Sequence, residues 1–267
     1  QKIAANENLT DFIQILPQTA ADKLSVTRTE RIEKLAAEIK NIEFKAVDNF
    51  SNKIKFFSPG SGTENFWPFE CEYQRALIIS PFISSALLQR FKGSNNILVS
   101  RQNELDQIYP AIKDKFSEIY LIDDLLDNFS ADFNEQDSAF DLRNGLHAKI
   151  FIFENQDDNS LSVYSGSANA TNAAFNGNLE VMAALKMENT NIRIDNLLTK
   201  NEEGNEINFG SILTPYIYSE ADVDAEAELE AELKNFKREF LQLDFYLKAK
   251  TIKTDSKKLY NLKILHH

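Results

Sequence analysis

Ala76-Leu77-Ile78-Ile79-Ser80-Pro81 is the stretch that decides the fold class. It is a short, unbroken apolar run of the kind that a strand buried on both faces requires, and proline ends it. Working outward, 84–91 has helical spacing, 96–100 is a second apolar strand, and 104–116 is again helical. A third strand is expected over 119–122, an acidic loop or short helix over 123–141, and further strands over 147–153, 161–165 and 179–185. Strands that alternate with helices predict an α/β sandwich around a mixed or parallel sheet.

The flanks are read as additions to that core. The N-terminal stretch 1–69 predicts an α/β extension. It holds a helix over 27–40, where Ile32, Leu35, Ala36 and Ile39 form one stripe, strands over 42–47 and 54–57, and a Ser/Pro/Gly loop over 58–62. The C-terminal stretch 191–267 predicts a helical extension. There Leu229, Leu233, Phe236, Phe240, Leu243 and Leu247 step by alternate fours and threes, the seam of a helix packed on its own domain or on a partner. The central part, 70–190, is taken as the core α/β domain.

Composition bounds the function. At 43% hydrophobic and 26% charged, the 267 residues are those of a water-soluble globular protein able to bury a core without metals or disulfides. A lone cysteine, Cys71, rules out an internal disulfide framework and a cysteine-rich zinc site, and a reducing, cytoplasmic setting fits. No apolar run approaches the roughly eighteen residues that a membrane span needs, and the first ten residues lack the apolar core of a secretory signal. The chain opens on Gln1 rather than Met and closes on His266-His267, which suggests a trimmed form or a piece of a longer protein. A net charge of −12 speaks against a basic nucleic-acid surface, and the central 70–190 is itself acidic, with 9 basic against 18 acidic residues.

Chemistry concentrates in three short segments: Asn144-Gly-Leu-His147-Ala-Lys149-Ile-Phe-Ile-Phe-Glu154, then Tyr164-Ser-Gly166-Ser167-Ala-Asn169-Ala-Thr171, then Asn178-Leu-Glu180. His147 and Lys149, two apart on an expected strand, would leave one face about 6.5–7 Å apart, one to attack and one to hold charge. Gly166 and Ser167 fall where a strand gives way to a helix, so backbone N–H groups there are expected to approach a phosphate. Ser167 and Asn169 add side-chain donors. Glu180 is placed to accept from the second imidazole nitrogen and fix its tautomer. Any one of these signals is common in loops and strands; their order, with an apolar strand between them, is not.

The pattern His147-x-Lys149, acid at 154, Gly166-Ser167-x-Asn169 and Asn178-x-Glu180 resembles the HKD motif of the phospholipase D-like superfamily, in its single-motif nuclease type. Ile79-Ser80-Pro81-Phe82 and Leu98-Val99-Ser100-Arg101 resemble the strand ends of the same domain. The resemblance covers about 70–190 and departs from the family in two places: Glu154 stands where aspartate is usual, and 155–160 lengthens the following turn. It implies a phosphodiester hydrolase that needs no metal or other cofactor. His147 would be the nucleophile, with a phosphohistidine intermediate and a second histidine as acid. Lys149, Ser167 and Asn169 would bind the phosphate, Glu180 would support catalysis, and Glu154, Gly166 and Asn178 would be structural or orienting. Apart from His266 and His267, His147 is the only histidine in the chain. A site with two histidines therefore requires two copies about a two-fold axis, unless a second motif lies in a longer chain.

Nucleic acid is the expected substrate, with a homodimer, no membrane, and a place in a larger restriction or anti-phage defence assembly whose other parts supply the basic surface. The alternatives are a phospholipase D-type lipid hydrolase using the same residues, and an inactive binding or structural module. The complete residue set counts against the latter. Glu43-x-Lys45 matches a metallonuclease step only superficially. The pairs Asp123-Asp124 and Asp157-Asp158 could bind a hard cation but read first as solvated loop acids.

Overall fold

The computed structural model describes residues 6–51, 53–59, 66–69, 72–122, 147–156, 158–188, 190–200, 208–218 and 236, together with the backbone of 245–253 and 258–266. The chain forms two compact units, 1–218 and 219–267.

The first unit is built on an eight-stranded mixed sheet in the order β1-β7-β6-β5-β2-β3-β4-β8. Its strands are β1 (Lys55–Phe57), β2 (Tyr73–Ile79), β3 (Asn96–Ser100), β4 (Phe116–Ile122), β5 (Ile150–Asn155), β6 (Leu161–Gly166), β7 (Met182–Met187) and β8 (Leu213–Pro215). β2, β3 and β4 run parallel, linked by α3 (Ser85–Leu88) and α4 (Gln102–Ile112), and every other pairing is antiparallel. The α/β sandwich expected from the alternation of strands and helices is thus present.

Period-two alternation sends residues of each central strand to opposite faces. Ala76 and Ile78 of β2 join a large aromatic core with Phe69, Phe91, Phe151, Phe153 and Phe175, under α3, α4 and α5 (Asn172–Asn176). Leu77 and Ile79 face the other side, with Ile97, Val99, Ile152 and Ile194 of α6 (Ile194–Leu198). Helices therefore cover both faces of the middle strands, which accounts for their unbroken apolar sequence.

The flanks meet the sequence reading in part: the helix expected over 27–40 is present as Val26–Ile39 and the strand expected over 54–57 is β1. Both expected borders, 69/70 and 190/191, fall inside the first unit, because each flank supplies a three-residue edge strand: β1 pairs with β7, and β8 with β4. In the N-terminal part, α1 (Glu7–Ile15) and α2 (Val26–Ile39) make a small core of Ile13, Ala36 and Ile39. The strand expected over 42–47 is irregular; the buried Asn6 amide donates to the carbonyls of Ile39 and Ile42 at 2.7 Å, holding the chain to the end of α2 instead of to a sheet. The helix expected to reach 116 stops at Ile112, and Phe116 opens β4. The stretch 123–141 lies outside the described residues.

The C-terminal unit is not wholly helical. Phe236 is helical, but Leu247 of the expected seam lies in β9 (Phe245–Lys253), antiparallel to β10 (Lys258–His266). Leu229, Leu233, Phe240 and Leu243 lie outside the described residues. The register sets Leu247 opposite Ile264, Ala249 opposite Leu262 and Thr251 opposite Tyr260. Beyond Phe245 the chain is rich in aromatic and branched residues spaced by two, and that pattern overrides the four-three seam. Among the described residues, no helix is long and apolar enough to cross a membrane.

Candidate active site

Sheet register brings the chemical residues to one edge. Ile79, the last residue of β2, pairs with Val99 near the end of β3 and with Ile150, the first of β5. Ile150 pairs with Ser165 near the end of β6, and Gly166 pairs with Met182, the first of β7. Ser80, Phe82, Arg101, His147, Lys149, Ser167, Asn169 and Glu180 all lie one to three residues beyond those ladder ends. Loops at the carboxyl ends of parallel strands are where sheets of this kind place ligands.

His147 and Lys149 precede β5 rather than belonging to it, because β2 stops at Ile79 and Pro81 carries no N–H to continue the ladder. The two side chains also differ in environment: His147 is exposed, whereas Lys149 is only 9% exposed. The Lys149 ammonium turns back to donate to the His147 carbonyl at 3.0 Å, which ties cation and histidine backbone into one piece. Burial pushes the Lys149 pKa below the ordinary lysine range; the Glu180 carboxylate pulls it up, and the Arg101 guanidinium adds to the fall. Lys149, Glu180 and Arg101 thus share one electrostatic neighbourhood.

Glu180 acts on its neighbours in a way the sequence did not suggest. Its carboxylate accepts from the Ser167 hydroxyl through one oxygen and from the Asn178 amide at 3.3 Å through the other. The Ser167 hydroxyl also accepts from the Val181 N–H at 3.0 Å, and the Ser167 N–H donates to the Val181 carbonyl at 2.9 Å. Ser167, Asn178 and Glu180 therefore form one cross-linked turn.

The backbone cradle expected at Gly166-Ser167 is not present in that form. The N–H of Ser167 is committed to Val181, that of Ala170 to the Ser80 hydroxyl at 2.9 Å, that of Thr171 to the Asn169 carbonyl at 2.8 Å, and that of Asn172 to the Ser84 hydroxyl at 2.9 Å. Nor does a helix begin at the end of β6: α5 starts only at Asn172, capped by the Thr171 hydroxyl. Glycine at 166 answers to packing, since a Cβ there would sit 2.1 Å from the Val181 carbonyl oxygen. Asn169 is half-buried, and its amide oxygen is buried with no hydrogen-bond partner among the described residues. Such orphaned acceptors cost roughly 1–3 kcal/mol.

Glu154 lies near the far end of β5 from His147, on the order of 20 Å away at the usual strand rise. It accepts from the Ile194 N–H at 2.6 Å, fastening β5 to the start of α6, so it is a brace and not part of the chemical cluster. Asp158 pairs with Lys186 at 2.6 Å and accepts from Ser160, which accounts for its low pKa, the Lys186 contact first. Asp157, Asp123 and Asp124 lie outside the described residues. Glu43 and Lys45 are exposed on the irregular stretch after α2.

Three residues at this edge went unassigned in the sequence. The buried Ser80 hydroxyl donates to the Phe82 carbonyl at 2.7 Å and accepts from Ala170, while the Ser100 hydroxyl donates to the Ser80 carbonyl at 2.8 Å. Arg101 stands with its guanidinium 4.9 Å from the Phe82 ring centre. Their signal was position: each lies at or just beyond the carboxyl end of a parallel strand.

No family model matches the chain, and no curated protein matches it in sequence. Several solved structures overlap it in part. Yeast tyrosyl-DNA phosphodiesterase is 15% identical over 43% of this chain, at a TM-score of 0.28, and this chain spans only 26% of its length. NucT from Helicobacter pylori is 15% identical over 50% of this chain and 84% of its own, at 0.29. Phosphatidylserine synthase from Haemophilus influenzae is 9% identical over 88% of this chain and 60% of its own, at 0.42. Overlaps this loose leave the fold resting on the strand order and register described above.

Proposed function

We propose that the chain is a metal-independent phosphodiesterase, a nuclease acting on DNA or RNA through a phosphohistidine at His147. The observation that carries the reading is the meeting, at one sheet edge, of an exposed histidine with a buried lysine, an arginine, and a Ser167–Glu180–Asn178 turn.

In this reading the imidazole nitrogen of His147 attacks phosphorus, and the P–O bond to the leaving alcohol breaks. The leaving oxygen takes its proton from the His147 of a second copy of the chain. Water then attacks the phosphohistidine, giving its proton to that second imidazole, and the P–N bond breaks to release a phosphomonoester. Lys149 and the Asn169 amide hold the charge on the phosphoryl oxygens. The Ser167 hydroxyl, already engaged by Glu180 and Val181, serves to place the turn carrying Asn169 and adds its donor only if substrate displaces the carboxylate. Glu180 supports the Lys149 charge and orients Ser167 and Asn178; reach to the imidazole would be a further role. Two-fold pairing brings the single catalytic histidine in twice. A larger defence assembly would supply further basic surface to a chain whose formal net charge is −12.

The test offers labelled DNA, RNA and phospholipid vesicles to the protein and to His147→Ala, with and without chelator. The reading predicts release from nucleic acid, abolished by His147→Ala with the melting temperature retained, and unaffected by chelator. Turnover on phospholipid alone would make the chain a lipid hydrolase. Loss in chelator with recovery on a divalent ion would overturn the metal-free mechanism.

A further inference from the structure

Phe82 and Arg101 carry no chemical step of the mechanism above, yet they stand beside it. Phe82 is a large apolar side chain left 38% exposed immediately after β2. Single exposed aromatics are ordinary, but the backbone that carries this one is tied down by named hydrogen bonds. Its carbonyl accepts from the Ser80 hydroxyl, and the same hydroxyl takes the Ala170 N–H. The next residue, Ile83, bridges Ala170 and donates its N–H to Glu104 of α4 at 3.2 Å. The loop carrying the ring is therefore laced to the residue that directly follows Asn169. Arg101 lies over the ring at 4.9 Å and acts electrostatically on Lys149. A guanidinium over an aromatic face carries a planar fork of N–H donors that matches phosphate oxygens.

We propose that Phe82 and Arg101 form a nucleotide subsite beside the scissile phosphate, Phe82 stacking on a base and Arg101 binding the adjoining phosphate, so that the preferred substrate is single-stranded or locally unpaired nucleic acid. The proposal rests on the phosphodiesterase reading and adds the substrate's form to it. An aromatic ring can stack only on a base that has left the duplex, and such stacking tolerates any sequence because every base has a π face. Fixing the ring before binding spares the ordering cost that a mobile loop would incur.

The experiment uses the cleavage-inert His147→Ala protein and measures Kd for a fluorescent single-stranded oligonucleotide, for an abasic strand of equal length, and for the duplex. Adding Phe82→Ala should weaken the base-bearing strand about tenfold and leave the abasic strand unchanged, while Phe82→Trp should keep the affinity. Adding Arg101→Gln should weaken both strands. Equal loss on both strands with Phe82→Ala, no loss on either, loss with Phe82→Trp as large as with alanine, or tighter binding of duplex than of single strand would each overturn the subsite. If His147→Ala stops cleavage while Phe82→Ala changes neither binding nor rate, the subsite fails and the phosphodiesterase reading stands. If the unmodified protein cleaves no nucleic acid and hydrolyses phospholipid vesicles, both fail.

Discussion

A buried lysine beside a carboxylate and a guanidinium makes the site sensitive to pH in a definite direction. Burial lowers the Lys149 pKa in the folded chain, so between that value and the higher unfolded one the folded protein binds fewer protons and stability rises with pH. Activity must move the opposite way, because the charged ammonium is the useful form and is lost as pH climbs through the lowered folded pKa. The kcat profile should therefore fall on its alkaline side below the ordinary lysine range. Glu180→Gln removes the group that supports the charge and should shift the Lys149 limb further down, whereas Lys149→Arg, which does not titrate there, should leave only the limb set by the acid imidazole. A limb that ignores both variants would mean that Lys149 carries no catalytic charge. Residue identities and spacing were legible in the sequence because side-chain chemistry is local. The partner of each group was not, since Glu180 reaching Ser167 and Asn178, or Lys149 reaching back to the His147 carbonyl, is decided by where the ladders stop.

At the scale of elements, the site is held by the junction of β6 and β7 as much as by its polar groups. Gly166 closes that junction against Val181 with no room for a side chain. Gly166→Ala must push the two backbones apart, at a cost of about 1–3 kcal/mol. Denaturant midpoints should fall accordingly, and the Ser167–Glu180 contact should loosen with them, lowering kcat. A variant as stable and as active as the parent would contradict this packing. The central strands were readable because burial on both faces leaves an unbroken apolar run, as in 96–100, whose bounds match β3. Short edge strands carry little such mark: β1 falls within the strand expected over 54–57, but β8 was not expected and is held only by its pairing with β4. The hairpin at the C-terminus was misread for a related reason, since an apolar spacing of three and four ran into one of two at Phe245.

For the whole molecule, the account turns on symmetry. In the proposed mechanism one His147 is the nucleophile and the His147 of a second copy is the acid at the same phosphate. When subunits of the unmodified protein and of His147→Ala are exchanged at random, activity should fall with the square of the unmodified fraction, because a mixed pair lacks one of the two imidazoles. A linear fall would show that each copy works alone.

The most direct measurement of the central claim is the covalent state of His147 during turnover. Rapid acid-free quenching of the protein with a labelled phosphodiester, followed by mass spectrometry of its peptides, should find the phosphoryl group on the peptide containing His147 and Lys149, absent in His147→Ala. A turning-over enzyme whose label sits on another residue, or which forms no adduct while releasing product at the same rate, would contradict the account.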